Sequence, residues 1–199
     1  MTVQSVPRTR PSLRRAGYAA FFLAAVSAAI SLYWTLGGTL GLDTIGGEIE
    51  EAGRARNPML IALVAAVTVI KALGALFALA LVRPWGRVFP RTLMIVLGWL
   101  GTAVLVLYGG VLTGVEALVE IGVITPPGDI DWKAFHWHLY LWDPYFLIWG
   151  ILLGLAVVHY LRVTGERRDR IKGNGRAMTR QASHRTASLD ADYAANHHH

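Results

Sequence analysis

Four long apolar runs divide the chain, and polar segments separate them. The runs cover residues 16–36, 59–82, 92–115 and 144–163. Each is long enough to cross a hydrocarbon core of about 30 Å as a helix that rises about 1.5 Å per residue. Helices are expected because an apolar segment in lipid has to satisfy its own backbone hydrogen bonds. The pattern therefore predicts an all-α fold, a four-helix transmembrane bundle with up-down-up-down connectivity.

The polar segments at the two ends complete the predicted domain organisation. Residues 1–15 form a basic cytoplasmic arm, residues 16–163 the transmembrane domain, and residues 164–199 a mobile basic cytoplasmic tail. The first apolar run is too long for the core of a cleaved signal peptide, so we interpret it as an anchor that stays. His197–His199 resemble the remnant of a purification tag and take no part in any metal argument.

Small residues and prolines add detail to the predicted helices. Ala16, Ala20, Ala24 and Ala28 recur at a spacing of four, which predicts a face that packs closely against another helix. That partner helix lies either in the same chain or in a second copy. Asn57-Pro58 and Asp143-Pro144 are typical of helix starts.

Charge then orients the bundle. Only 16% of residues are charged, against about a quarter in soluble domains, and 54% are hydrophobic. Fifteen Lys and Arg residues flank one side of the predicted spans and three flank the other, where nine of the thirteen acidic residues lie. The positive-inside rule then predicts a bacterial inner-membrane protein with both termini in the cytoplasm. The net charge of +6 suits anionic lipid headgroups on that side, and no nucleic acid is expected as a partner.

Lys71 is the most informative single residue, because it lies near the middle of the second apolar run. A lysine at that depth costs about 2.5–3.5 kcal/mol on insertion scales. Thr68 lies on the same helical face, and we expect both to bind a ligand in a small polar cavity. The alternative is a lysine that only hydrogen-bonds backbone carbonyls or stays neutral.

The segment 116–143 is too aromatic for a free loop and too polar to span a membrane. Its aromatic residues predict an outer amphipathic or re-entrant segment at headgroup level, with Trp137, Tyr140 and Trp142 as ligand-binding candidates. The alternative is a belt of interfacial aromatic residues whose histidines are merely hydrogen-bonded.

Acid, base and metal-binding groups concentrate in the same segment. The catalytic candidates are His136, His138, Asp143, Glu116 and Glu120. If the segment is helical, His136 and Asp143 share a face while His136 and His138 point apart. No cofactor is predicted. Zinc is the metal that these side chains suit, with His136, His138 and Asp131 as its candidate ligands. Haem is not expected, because His159 lies at the other end of its span.

Three sequence motifs carry a family resemblance. They are YWTLGG at 33–38, RPWGR at 83–87 and LWDPYFLIWG at 141–150. Across residues 16–163 the chain resembles a small, uncharacterised family of four-span bacterial membrane proteins of the actinobacterial type. The resemblance implies a topology and no activity.

Three functions fit these features. The first is a protein that binds a lipid or small amphiphile at its outer face, or that serves as an accessory subunit, alone, as a homodimer or with a partner membrane protein. The second is a membrane enzyme that acts on a lipid-soluble substrate through the outer His, Asp and Glu groups. The third is an oligomeric transporter built on Lys71, which the few polar residues per span disfavour.

Overall fold

The structure, a computed structural model, describes residues 11–126 and 128–166. Within these residues it contains helices and no strand. There are five α-helices: α1 (Pro11–Thr35), α2 (Gly47–Arg54), α3 (Pro58–Val82), α4 (Arg91–Glu120) and α5 (Trp132–Glu166). Two short 3₁₀ turns, Leu42–Thr44 and Pro84–Val88, lie in the connections.

Four of these helices, α1, α3, α4 and α5, are long and apolar enough to cross a membrane. The predicted all-α fold with four such helices is confirmed. The helices extend beyond the predicted spans, most of all α5, which begins at Trp132 rather than near Pro144. Within the predicted amphipathic or re-entrant segment 116–143, residues 132–143 are helical and run directly into the last long helix.

Local chemistry explains where the helices begin and end. The Asn57 side chain caps α3 by accepting hydrogen bonds from the backbone nitrogens of Met59 and Leu60, at 2.9 and 3.3 Å. Helix α3 ends at Val82, two residues before Pro84, because proline cannot continue a helix. Asp143-Pro144 does not begin a helix as predicted, since both residues lie inside α5. The wider π turn at His138–Trp142 ends two residues before Pro144, whose ring would clash with the preceding turn of a regular α-helix.

The first two long helices pack through small residues. The predicted face of α1 is buried within the chain, with Ala20 and Ala24 at 0% exposure. Gly17 lies so close to Val82 of α3 that an added Cβ would be 2.3 Å from that side chain. Ser31, near the other end of α1, contacts Lys71 in the middle of α3. The two helices are therefore antiparallel, and close backbone approach gives them van der Waals contact.

Glycines bring α4 and α5 together in the same way. A Cβ added at Gly109 would lie 2.4 Å from the backbone nitrogen of Leu147, and one at Gly98 would lie 2.5 Å from Val157. Gly98 pairs with the later residue of α5 and Gly109 with the earlier one, so these helices are antiparallel too. Gly114, further along α4, has open space around it.

Contacts between α1 and α5 complete the bundle. The Tyr145 hydroxyl donates a hydrogen bond to the Leu23 carbonyl, and Gly17 lies against Ala156. Helix α1 is thus antiparallel to α3 and α5, and α4 is antiparallel to α5, which confirms the up-down-up-down connectivity. Residues 161–166, at the end of α5, belong to a separate unit and are helical. The predicted tail from residue 164 lies outside the described residues, except that Thr164–Glu166 are helical.

The two ends of the bundle differ in character. One, which we call the aromatic end, carries the connections 36–57 and 121–131 and the first turns of α5. The other, the basic end, carries five arginines of α1, α4 and the connection between α3 and α4: Arg14, Arg15, Arg83, Arg87 and Arg91. There the Arg83 guanidinium lies 5.7 Å from the centre of the Tyr18 ring.

Candidate functional site

Lys71 reaches from the middle of α3 towards the aromatic end. Helical side chains lean towards the N-terminus of their helix, which for α3 is at that end. The Lys71 Nζ donates a hydrogen bond to the Ser31 hydroxyl at 2.9 Å and lies 5.7 Å from the centre of the Phe146 ring. In residues 11–126 and 128–166, the ion pairs between side chains do not include Lys71. One hydroxyl and one ring face are thus its immediate polar surroundings.

A cavity of about 220 Å³ opens beside this ammonium group, and we call it the Lys71 cavity. It follows α3 from Leu60 to Lys71, a distance of about 16 Å along the helix. Helix α2 covers it through Ile49 and Gly53, and α1 contributes Ser31 and Trp34. Apart from Ser31, Trp34 and Lys71, the side chains that line it carry only hydrocarbon.

The cavity therefore differs from the small polar one that the sequence suggests. Thr68 does not line it. The Thr68 hydroxyl instead donates to the Val64 carbonyl of its own helix at 2.8 Å. Such a bond is the usual way for threonine to satisfy its hydroxyl inside an apolar helix. Lys71 thus lines an apolar cavity, and Thr68 does not.

A second polar group forms at the π turn of α5. Residues five apart in an α-helix point in different directions, but a π turn closes its hydrogen bond from residue i+5 to residue i. The Asp143 backbone nitrogen donates to the His138 carbonyl in this way. The turn therefore brings both side chains onto one face, with His138 Nδ1 and Asp143 Oδ2 3.2 Å apart. Asp143 pairs with His138, and not with His136 as the α-helical spacing suggests.

Glu116 of α4 joins this pair, and we call Glu116, His138 and Asp143 the acid–imidazole cluster. One ligand atom from each residue lies within 4.8 Å of the other two. Gly109 makes the approach feasible, because it brings the backbones of α4 and α5 together two turns before Glu116. Asp143 is only 1% exposed, so the cluster is anchored inside the bundle.

Several oxygens at this place lack hydrogen-bond partners. Asp143 Oδ1, Glu116 Oε2 and the Thr113 hydroxyl are all buried without a partner in the described part of the chain. Thr113 lies one turn before Glu116 on the same side of α4. Buried polar atoms are normally paired, so orphaned acceptors at a convergence of three side chains are a strong sign of a site.

The other candidate residues form a separate, exposed group. His136 Nε2 lies 3.3 Å from Glu120 Oε2, and the His136 ring stacks on Tyr140 with centroids 6.0 Å apart. Trp137 borders the same shallow groove as His136 and Tyr140. His136 and His138 thus pair with different carboxylates, as expected for histidines two apart on a helix.

The remaining predicted residues, Asp131 and Trp142, make structural contacts at the aromatic end. Asp131 caps α5 by accepting from the backbone nitrogens of Lys133 and Ala134 at 3.0 and 3.2 Å, so it lies apart from the acid–imidazole cluster. Trp142 donates to the Thr44 hydroxyl at 3.1 Å and stands edge-on to Trp34.

An exposed ion pair also links the connection 36–57 to the first turn of α5. The Lys133 ammonium donates to the Asp43 carboxylate and thereby lowers the pKa of that carboxyl group.

Sequence reasoning named all three members of the acid–imidazole cluster without finding their arrangement. It assumed α-helical spacing, and the π turn changes which side chains share a face. It did not single out Ser31 or Thr113. The spacing of Thr113 and Glu116 on one face of α4, aligned with Gly109, is a signal that could have found Thr113.

Comparison with known proteins then identifies the family. A family model described as a protein of unknown function (DUF3995) matches residues 24–153, and the chain belongs to this family. The matched range contains Lys71 and the whole acid–imidazole cluster. The resemblance to an uncharacterised family is thereby confirmed. No curated protein and no solved structure matches the chain.

Proposed function

We propose that this member of the DUF3995 family is an integral membrane protein that binds an anionic amphiphile in the Lys71 cavity. One observation carries the proposal: the Lys71 ammonium lies at the inner end of an apolar cavity and, within residues 11–126 and 128–166, has a single hydroxyl as its hydrogen-bond partner. A buried charge is costly unless it is paired. A carboxylate on a lipid-soluble ligand would supply the missing counter-charge.

The rest of the cavity suits the hydrocarbon part of such a ligand. A cavity of about 150 Å³ lined by apolar side chains can hold benzene, so about 220 Å³ accepts a somewhat longer hydrocarbon segment. Val64 and Val67 line the cavity between Leu60 and Lys71 and would contact the chain. Because this lining is apolar, it favours a binding site over a path for ions, which needs polar groups along its length.

Orientation is part of the proposal. We infer that the basic end faces the cytoplasm and the aromatic end faces outward, since fifteen of the Lys and Arg residues flank one side of the helices. Trp132, Trp137 and Tyr140 are 53%, 43% and 67% exposed, and in this orientation they would contact the outer lipid headgroups.

The chain contains no cysteine, which makes the orientation easy to test. Single cysteines at Asp129 and at Arg87 would be labelled in intact cells with a maleimide that does not cross membranes. We expect labelling at position 129 and none at position 87 until the cells are opened. The reverse pattern would contradict the proposed orientation and leave the binding proposal untouched.

Ligand binding is tested with a brominated fatty acid, because bromine quenches tryptophan fluorescence at short range and Trp34 lines the cavity. The protein is placed in nanodiscs of a zwitterionic lipid and titrated with the acid or its methyl ester. We expect saturable quenching by the acid and at least tenfold weaker binding of the ester. Replacing Trp34 by Phe should remove most of the quenching, which assigns the signal to the cavity.

Lys71→Met keeps most of the length of the side chain and removes the charge. We expect it to weaken binding of the acid at least tenfold, whereas the matched control Lys133→Met removes a lysine outside the cavity and should bind as the unaltered protein does. Equal affinity of Lys71→Met and the unaltered protein would refute the proposed role of Lys71.

A further inference from the structure

A place for a metal ion exists in the acid–imidazole cluster, independently of the Lys71 cavity. Two carboxylates and one imidazole converge there from two helices. Asp143 uses Oδ2 to meet His138 and keeps Oδ1 without a partner, although the residue is 1% exposed. Glu116 contributes a second buried oxygen in the same condition. Buried carboxylate oxygens without a donor are costly, so a cation or a proton is expected to bind at them.

We propose that Glu116, His138 and Asp143 bind a divalent transition-metal ion of the zinc class. Ligand atoms about 2.0–2.1 Å from a tetrahedral zinc lie about 3.4 Å from one another. The His138 Nδ1 and Asp143 Oδ2 atoms are already 3.2 Å apart. All three ligand atoms lie within 4.8 Å of one another, so binding zinc requires no pair of them to approach by more than about 1.4 Å.

Charge balance supports a dication. Two carboxylates bring two negative charges, a neutral imidazole brings none, and a dication neutralises the set. The competing arrangement is one proton shared between Glu116 and Asp143 while a neutral His138 donates from Nδ1 to Asp143, and it leaves one negative charge in the cluster. A metal ion satisfies all three side chains at once.

The donor set also selects the class of metal. Imidazole with carboxylate suits zinc and its first-row neighbours, whereas Ca²⁺ takes six to eight oxygens and Mg²⁺ keeps most of its waters. The chain has no cysteine, so thiolate ligands are absent. Three protein ligands leave a fourth position for water or another ligand, the number found in catalytic zinc sites.

The π turn explains why the site arises at this point of α5. Without it, His138 and Asp143 would face different directions, and the cluster would lose one ligand. π turns inside helices occur often at functional sites, because they realign side chains that an α-helix would separate. The turn spans His138–Trp142, and its first residue is one of the three proposed ligands. Asp143, a second ligand, immediately follows the turn.

The test is the metal content of the full-length protein in detergent. Every variant carries H197A, H198A and H199A, so that the terminal histidines do not contribute metal. The protein is equilibrated with zinc sulfate, excess metal is removed by gel filtration, and zinc is measured by mass spectrometry. We expect one zinc per chain in this background, and less than a tenth of that in His138→Gln and Asp143→Asn.

His136→Gln is the matched control. It removes a neighbouring histidine that pairs with Glu120 outside the cluster, and we expect it to retain one zinc per chain. If Asp143→Asn does not fold, His138→Gln and Glu116→Gln decide the matter, because their side chains are only partly buried. Cobalt in place of zinc should give the visible absorption bands of a tetrahedral site, and these bands should disappear in His138→Gln.

Two results would overturn the proposal. Less than a tenth of a zinc per chain in the background protein would mean that the carboxyl groups share a proton. Equal zinc in His138→Gln and His136→Gln would mean that the metal binds elsewhere.

Discussion

The Lys71 cavity and the acid–imidazole cluster both contain ionisable side chains among apolar helices, but the surroundings of these side chains differ. At Lys71 one cation has a hydroxyl at 2.9 Å and a cavity of about 220 Å³ beside it. At the cluster, three side chains converge within 4.8 Å, where glycine brings two helix backbones into contact. The first place has room and lacks a counter-charge. The second is tightly packed and carries excess negative charge.

The difference teaches what kind of partner each place can accept. A lone ammonium beside an apolar cavity suits a ligand that brings both an anion and hydrocarbon. Converging carboxylates in a tight interface suit a small dication, because only an ion fits between them. Space and the number of converging groups, rather than the presence of a charge, decide between these two outcomes.

The largest expected effect is on the packing that supports the cluster. Gly109→Ala places a Cβ 2.4 Å from the Leu147 backbone nitrogen, and backbone cannot move aside as a flexible side chain can. We expect a loss of about 1–3 kcal/mol in the free energy of unfolding, measured by thermal unfolding in one detergent.

Gly114→Ala is the control for that change, because it makes the same substitution on the same helix in open space. Alanine is a better helix former than glycine, so we expect a gain of about 0.5–1 kcal/mol. If the two substitutions changed the free energy of unfolding by the same amount and with the same sign, the assigned α4–α5 interface would be contradicted.

The second prediction concerns how metal changes the effect of Asp143→Asn. With a chelator present, removing a buried negative charge should leave the unfolding temperature unchanged or raise it. With zinc at about one hundred times its dissociation constant, the unaltered protein should gain about 2.7 kcal/mol and the variant should gain nothing. A variant that gains as much from zinc as the unaltered protein does would exclude Asp143 as a ligand.

The third prediction tests the contact between Ser31 and Lys71. Ser31→Ala removes a buried hydroxyl from a half-buried ammonium, so we expect a loss of about 1–3 kcal/mol in the free energy of unfolding. In a chain that already carries Lys71→Met, the same change should cost less than about 0.5 kcal/mol. Thermal unfolding of the two single variants and the double variant gives the coupling energy, and additive effects would show that the contact contributes nothing.

The smallest effect is expected at the exposed Lys133–Asp43 ion pair, which lies outside both regions. Lys133 lowers the pKa of Asp43, so the pair stabilises the fold above the ordinary aspartate pKa of about 3.9 and loses this contribution as the pH falls through the lowered value. Asp43→Asn should lower the unfolding temperature slightly at pH 7 and not at all near pH 2. A difference that persists at pH 2 would assign the effect to something other than the ion pair.

Much of the fold could be predicted because it depends on local pattern. The apolar runs define the four long helices, Asn57 and Pro58 mark the start of α3, and the alanines of α1 identify its packed face. Each of these features acts within one helix or between neighbouring turns, so the sequence carries it directly. The beginning of α5 was misplaced at Asp143-Pro144, because a proline signal inside a helix has the same appearance as one at a helix start.

The sequence by itself determined the membrane-like character of the chain, its four helices, the odd depth of Lys71 and the presence of acid and imidazole groups near residue 140. Only the tertiary structure decided which of these groups meet. It paired Ser31 with Lys71 across forty residues, and it brought Glu116 to Asp143 through a glycine contact. The reason is physical: helix pattern is local, whereas the convergence of side chains depends on how closely backbones approach and on a single π turn that rotates one helix face.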